Sequence, residues 1–138
     1  LICDGIHIHP ATVRTTFKMF GDDRIILISD SMEATGMPDG QYALGGLPVT
    51  VKGNLATLTD GTLAGSATNL MDCLRTVVNV MGIPLESAVK CAAVNPAKEI
   101  GIFENYGSSE AGKIANLVLL KKDGLDTAGV ILRGNQIR

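Results

Sequence analysis

Short apolar runs alternate with an amphipathic stretch over the first 30 residues of the chain. Residues 1–3 and 25–28 are continuously apolar, which is typical of strands whose two faces are both covered. Between them, apolar residues recur at helical spacing from Pro10 to Phe20, and Gly21 suits the position after a helix end. A strand, a helix and a second strand in this order predict a βαβ unit with parallel strands.

The pattern changes after this unit, where turn-forming residues separate short segments of high strand propensity. The turns contain Pro, Gly, Asp and Asn, the residues that favour chain reversal. We predict a β-hairpin insertion in the α/β pattern, with strands over residues 41–44, 47–51 and 55–58.

Helical spacing returns in the second half of the chain. Apolar residues form one stripe over residues 70–81, and another helix is predicted from residue 85. Asn95 followed by Pro96 predicts the N-cap and first turn of a third, short helix. The chain is then predicted to return to strands, over residues 114–120, 129–132 and after a turn at 134–135.

The composition predicts one compact domain and excludes several classes of partner. The chain of 138 residues is 46% apolar and 19% charged, which argues against disorder. A net charge of −2 gives no reason to expect a nucleic acid or a membrane as partner. Three cysteines in apolar contexts favour reduced thiols and a cytoplasmic protein. Because the chain begins with Leu1 inside a predicted strand, we interpret it as a fragment of a longer protein.

Polar residues follow both predicted parallel strands at the point where each strand ends. The first cluster runs from Asp4 to His9, and the second is residues 29–31. Because the carboxyl ends of neighbouring parallel strands meet at one edge, we expect His7 and Asp30 to face one pocket. Asp30 has two open interpretations: a turn or helix-cap residue, or a carboxylate acting as general base or metal ligand.

Two further features are compatible both with a site and with a purely structural role. His7 and His9 form an H-x-H pair, which on a strand would direct both rings to one face as metal ligands. Pro10 follows directly, so we favour His9 as a partly exposed residue at the start of a helix. The loop 62–66 either cradles a substrate, since Gly65 lets backbone approach a ligand closely, or simply joins a strand to a helix.

Five motifs carry a resemblance to a known family, in order and over essentially the whole chain. They are ICDGIHIHP at residues 2–10, LISDSM at 27–32, DGTLAGS at 60–66, NPA at 95–97 and AGKIANLV at 111–118. Together they resemble the N-acetylglucosamine-6-phosphate deacetylases of the amidohydrolase superfamily. The last motif is shared across amidohydrolases, whereas the D-G-x-H segment, the S-D turn and the glycine-containing loop are more specific.

The resemblance implies both a fold and roles for particular residues. Residues 1–113 are expected to be the C-terminal part of a (β/α)8 barrel, and residues 114–138 to join a small β-sandwich. Asp30, at the end of the eighth strand, is expected to take a proton from a metal-bound water that attacks the acetamide and to deliver it to the leaving amine. His7 matches a substrate-binding histidine that helps to polarise the carbonyl. The other residues matched to substrate contacts are Asp4, Gly5, Ile6, Leu63, Ala64 and Gly65.

The same resemblance implies components that this chain lacks. A divalent metal, zinc or iron, is expected, but the family's metal ligands have no counterpart in these residues. The arginine that binds the sugar phosphate has none either. We therefore expect no activity from the isolated 138 residues. For the full-length protein, the resemblance implies an amino-sugar phosphate as substrate and a homodimer or homotetramer.

Two alternatives stay open on the sequence. One is another metal-dependent amidohydrolase of dihydroorotase or deaminase type, which a carboxylated lysine or an H-x-H pair on the first barrel strand would indicate. The other is a non-enzymatic α/β binding domain, which predicts a closed and independently stable fold.

Overall fold

The computed structural model describes all 138 residues, as a mixture of helices and two small antiparallel sheets. The helices are α1 (Pro10–Phe20), α2 (Leu70–Asn79), α3 (Leu85–Val89) and α4 (Asn95–Glu99). The strands are β1 (Gly40–Leu44), β2 (Leu47–Lys52), β3 (Leu55–Leu58), β4 (Leu117–Leu120), β5 (Thr127–Leu132) and β6 (Asn135–Gln136). No helix combines the length and apolar character needed to cross a bilayer.

Helix α1 begins and ends where the sequence predicts. Pro10 occupies the first turn, where its missing N–H leaves no bond unmade. His9 caps the helix, because its Nδ1 accepts a hydrogen bond from the backbone N–H of Ala11 at 3.2 Å. Gly21 ends it with a φ of +68°, a left-handed value that glycine adopts without strain. The fully buried Val13 turns the apolar face of α1 towards the core.

The parallel pairing around α1 is confirmed, but the second predicted strand is not regular. Ile2 and Ile28 form an isolated parallel bridge, and residues 25–27 belong to no strand. Ile25 and Leu27 are buried, whereas Ile28 is 48% exposed. The prediction that both faces are covered is therefore wrong for this chain, because only one side of the segment has a core to pack against.

A three-stranded antiparallel sheet stands where the sequence predicts a hairpin insertion. Its order is β1–β2–β3, so all three predicted strands are present, and each strand bound lies within one residue of its predicted position. Gly45 and Gly46 both have positive φ at the first turn, as a two-residue type I′ turn requires. Val49 and Val51 pack with Met32 in a small separate core, which brings the insertion beside the segment that follows Asp30.

Helices α3 and α4 are continuous, which corrects the prediction that Asn95 is an N-cap. A π-helical turn at Lys90–Val94 joins the two helices, and Asn95 has helical φ and ψ of −63° and −47°. Pro96 has no N–H for a bond to the preceding turn, so the wider π turn accommodates it without a helix break. The Asn95 side chain donates instead to the carbonyls of Asp22 and Ile25, both at 2.6 Å.

The C-terminal strands form the second sheet, in the order β4–β5–β6. Strand β4 is shorter than predicted, since regular pairing begins at Leu117 and not at residue 114. Arg75 of α2 donates from Nε to the Leu125 carbonyl at 3.1 Å, and the buried Leu125 side chain joins the main core. These two contacts fix the second sheet to the helices.

Candidate active site

Three chain segments converge at the carboxyl end of the parallel pair, and the fully buried Ser66 connects them. The Ser66 N–H donates to the Asp30 carbonyl at 2.9 Å, and the Met32 N–H donates to the Ser66 carbonyl at 2.9 Å. The Ser66 hydroxyl donates to Asp4 Oδ2 at 3.4 Å. The two strand ends and the loop 62–66 are therefore neighbours, as the βαβ topology predicts for the two strand ends.

The carboxylate of Asp4 is buried and holds the turn that presents His7. Its Oδ1 accepts the backbone N–H groups of Ile6 and His7 at 2.9 and 3.0 Å, and its Oδ2 lies 2.8 Å from His7 Nδ1. Burial by itself raises the pKa of the Asp4 carboxyl. The N–H groups of His7 and Ile6, together with the His7 ring, outweigh burial and hold that pKa below its ordinary value of 3.8.

The Asp4 side chain is 0% exposed and the His7 side chain 17% exposed, so of the pair only the imidazole reaches the surface. Gly5 stands between them at the start of the turn, with a φ of +82° that favours glycine. The buried Asp4 carboxylate therefore fixes the orientation of the His7 ring from the protein side of the turn.

Asp30 differs from Asp4 in both its exposure and its hydrogen bonding. The residue is exposed, and its carboxylate forms no hydrogen bond or ion pair within the chain. Its φ of +55° lies in the left-handed region, which aspartate tolerates better than most residues. Ser31 anchors the adjoining backbone, because its hydroxyl donates to the Thr68 carbonyl at 2.8 Å. The carboxylate is therefore positioned by backbone geometry and stays free to meet another molecule.

The loop 62–66 lies directly against this backbone. Leu63 is 41% exposed, whereas Ala64 is buried. Gly65 has a φ of +66°, and a Cβ built there would lie 3.5 Å from Met32 Cβ and 3.7 Å from the Asp30 carbonyl oxygen. The loop therefore exposes the Leu63 side chain and holds a half-buried Gly65 against the Asp30 segment. Its contact with a substrate stays a prediction.

Comparison with known proteins identifies the family of the chain. The profile of the Amidohydrolase family matches residues 1–137. The chain belongs to the amidohydrolase family. Its relatives include the N-acetylglucosamine-6-phosphate deacetylase of Bacillus subtilis (strain 168), which is 41% identical over 98% of this chain and 34% of its own length. The putative N-acetylgalactosamine-6-phosphate deacetylase of Escherichia coli (strain K12) is 36% identical over 97% of this chain and 79% of its own length.

Solved structures of amidohydrolases contain the same arrangement of elements. The N-acetylglucosamine-6-phosphate deacetylase of Pasteurella multocida matches with a TM-score of 0.93 and 29% identity, over 99% of this chain and 35% of that one. A mutant of the Mycobacterium smegmatis enzyme, solved in complex with N-acetyl-D-glucosamine-6-phosphate, matches with a TM-score of 0.89 and 36% identity, over 99% and 36%. The family resemblance of the motifs is confirmed. The chain spans about a third of the length of the first curated relatives it matches, at 34% and 31%.

Amidohydrolases are generally metal-dependent, but the residues of this chain do not form a metal centre by themselves. The chain contains no group of three or more His, Cys, Asp or Glu side chains placed to hold an ion. His7 is bonded to Asp4, and His9 is exposed and caps α1. The interpretation of His9 as a helix-start residue is confirmed, and the two histidines have separate hydrogen-bond partners.

The three cysteines of this amidohydrolase chain are free, and all three are buried. Burial raises the pKa of the Cys3, Cys73 and Cys91 thiols to about 11. The thiols are therefore neutral at ordinary pH and serve as small apolar side chains in the core.

Sequence reasoning missed Ser66 as the residue that connects the site. Its partner Asp4 lies 62 positions away, and no local pattern of residue types reports such a contact. The role of the Asp4 carboxylate was also missed, since Asp4 was assigned to substrate contact. An aspartate three residues before a histidine, with a glycine between them, was the available signal for a turn that binds its own backbone.

Proposed function

We propose that the full-length protein hydrolyses the acetamide of N-acetylglucosamine 6-phosphate. The products are glucosamine 6-phosphate and acetate, in a pathway that degrades amino sugars. Water adds across the C–N bond: its oxygen joins the carbonyl carbon, and the nitrogen leaves with one more proton. The observation that carries the proposal is the convergence of Asp30, the loop 62–66 and Asp4, the partner of His7, at Ser66, in a chain whose relatives are named deacetylases.

Asp30 is the proton-transferring group of this proposal. Its carboxylate is exposed and unpaired, so it can accept a proton from the attacking water without breaking a bond within the chain. It then returns the proton to the amine nitrogen, which is a poor leaving group until it is protonated.

The remaining substrate contacts are assigned to the residues of the two loops that are at least partly exposed. His7 presents its imidazole to the sugar, and Gly5 and Ile6 offer backbone at the same turn. Leu63 and Gly65 bound the substrate on the opposite side, with Ala64 behind them. The buried Asp4 side chain does not reach the substrate; Asp4 contributes by orienting His7 and by its own backbone in the turn.

The proposal also covers the parts of the enzyme that these residues do not supply. We assign the divalent metal, zinc or iron, to ligands outside the 138 residues, together with the arginine that binds the phosphate. Residues 1–113 belong to a (β/α)8 barrel in this proposal, and residues 114–138 to a composite β-sandwich. The full-length protein is a cytoplasmic homodimer or homotetramer.

A second substrate is favoured by a specific observation. Two relatives from Escherichia coli, both 36% identical to this chain, are named for N-acetylgalactosamine 6-phosphate. The two sugars differ only in the configuration of one hydroxyl, and both carry the acetamide on which the proposed groups act. Measured kcat/KM for both sugars in the full-length protein decides between them. Family membership favours either deacetylase over a binding domain.

The assignment of Asp30 is tested by Asp30→Asn in the full-length protein. Loss of a general acid–base group lowers kcat by roughly 10²–10⁴-fold. Asparagine tolerates the same backbone conformation, so folding and metal content are expected to be unchanged. The matched control is Asp123→Asn, an exposed aspartate far along the chain in a turn, with expected full activity. Turnover by Asp30→Asn within about threefold of the parent, well short of that loss, would remove Asp30 from the mechanism.

A further inference from the structure

The two carboxylate oxygens of Asp4 have different partners. Oδ1 accepts only backbone N–H groups, from Ile6 and His7. Oδ2 faces His7 Nδ1 at 2.8 Å and the Ser66 hydroxyl at 3.4 Å. The side chain is fully buried and its pKa is held low, so the group is an ionised carboxylate that accepts hydrogen bonds and donates none.

The proton on the His7 ring is thereby located. Two acceptors cannot share a hydrogen bond without a proton between them, so at 2.8 Å from Oδ2 the Nδ1 atom carries the hydrogen. We propose that Asp4 is a positioning residue, which locks neutral His7 in the Nδ1–H tautomer and leaves Nε2 as an unprotonated acceptor at the site. The part of this inference that concerns substrate rests on the proposed function.

The lock restricts what His7 does at the site. A bare Nε2 accepts a hydrogen bond from a hydroxyl or an N–H group of a ligand, and it cannot donate one to a carbonyl oxygen. The Nε2 atom has no partner within the chain, and the ring is partly exposed. In this tautomer His7 recognises a donor such as a sugar hydroxyl, whereas polarising the acetamide carbonyl, as the family resemblance implies, requires a proton on both ring nitrogens.

His9 provides an internal reference with the opposite tautomer. Its Nδ1 accepts the backbone N–H of Ala11 at 3.2 Å and therefore carries no hydrogen when the ring is neutral. The proton of neutral His9 is then on Nε2. Two histidines separated by one residue are thus expected to give opposite patterns in one spectrum.

The tautomers are measured by ¹⁵N NMR of histidine-labelled full-length protein, at a pH where both imidazoles are neutral. His7→Gln and His9→Gln assign the two signals. We expect a protonated Nδ1 and a bare Nε2 for His7, and the reverse for His9. A bare Nδ1 at His7 overturns the inference, and this readout does not depend on activity.

Asp4→Asn tests the cause of the tautomer. The amide oxygen can keep the two backbone N–H groups, which leaves the amide nitrogen as a donor to face His7 Nδ1. The His7 tautomer is then expected to reverse while His9 is unchanged. Asp60→Asn is the matched control, because Asp60 also accepts a backbone N–H in a turn but has no histidine partner. An unchanged His7 tautomer in folded Asp4→Asn would contradict the proposed lock.

Kinetics separate this inference from the proposed function. Loss of a hydrogen bond to a charged or oriented group lowers kcat/KM by roughly 10–100-fold, and we expect this in both Asp4→Asn and His7→Gln. The double variant is expected to be little worse than either single variant, because Asp4 acts through His7. Additive losses overturn the positioning role. Reversed tautomers with full activity in all variants support the lock and contradict the assignment of His7 to substrate.

Discussion

Asp4 and Asp30 each follow one member of the same parallel pair, yet the structure treats their carboxylates differently. Asp4 is buried, and both of its oxygens are used by Ile6, His7 and Ser66. Asp30 is exposed and unpaired, on a backbone with a left-handed φ of +55°. One strand end therefore satisfies its charge internally, and the other leaves its charge for a partner outside the chain.

The difference shows that one edge of a fold can hold both a structural carboxylate, Asp4, and a carboxylate that is available for a reaction, Asp30. A buried ionised group is stable only when hydrogen bonds replace its lost solvation, so the Asp4 end has little freedom to change. An exposed carboxylate has no such constraint and can change its protonation state during a reaction. Ser66 joins the two ends, because its N–H bonds the Asp30 carbonyl and its hydroxyl bonds the Asp4 carboxylate.

The largest expected effect on stability separates the two aspartates. Asp4→Ala leaves two backbone N–H groups and a ring N–H without their acceptor, and we expect a loss of about 2–3 kcal/mol in the free energy of unfolding. Asp30→Asn and the exposed control Asp123→Ala are expected to stay within about 0.5 kcal/mol of the parent. Denaturant unfolding of the full-length protein measures all three. Equal effects at positions 4 and 30 would remove the distinction between the two strand ends.

Elements set by local residue types were predictable from the sequence. Helix α1 needs only Pro10 at its start, Gly21 at its end and apolar spacing between them, and all three are local signals. The strands of the insertion are bounded by glycine turns such as Gly45-Gly46, so their limits were predicted within one residue. The proximity of the two strand ends followed from topology, since parallel strand ends share one edge, and Ser66 bonds both of them. That His7 and Asp30 face one pocket stays a prediction.

Features set by distant contacts were not predictable in the same way. Asn95 has the sequence signature of an N-cap, but its side chain bonds carbonyls some 70 positions earlier, at Asp22 and Ile25, within a continuous helical stretch. The apolar run 25–28 predicts coverage on both faces, which depends on packing partners that no local pattern reports. Ser66 is one polar residue in a loop, and only the fold shows that it joins two strand ends.

A smaller effect tests whether the Asp30 end depends on the loop behind it. Gly65→Ala and Gly61→Ala both place a Cβ at positive φ, which costs about 1 kcal/mol at each position. Only the Cβ at Gly65 meets the Asp30 segment, whereas the one at Gly61 meets open space. We therefore expect similar losses of stability in unfolding measurements but a lower kcat/KM for Gly65→Ala alone. Equal activities would show that the Asp30 backbone does not depend on close contact with this loop.

The smallest expected effect is the pH dependence that Asp4 gives to stability. Its pKa in the folded protein is below the ordinary value of 3.8, so the folded state binds this proton less readily than the unfolded state does. The stabilisation is therefore complete above the unfolded pKa and is lost as the pH falls through the folded pKa. The difference in unfolding free energy between the parent and Asp4→Asn is expected to be largest near neutral pH and to shrink below about pH 4. Asp22 and Asp60 also have lowered pKa values, from bonds with Lys90 and Thr62, but they are present in both proteins and cancel in the difference. A difference that grows on acidification would mean that the Asp4 carboxylate destabilises the fold, and the contrast with Asp30 would then have to rest on exposure alone.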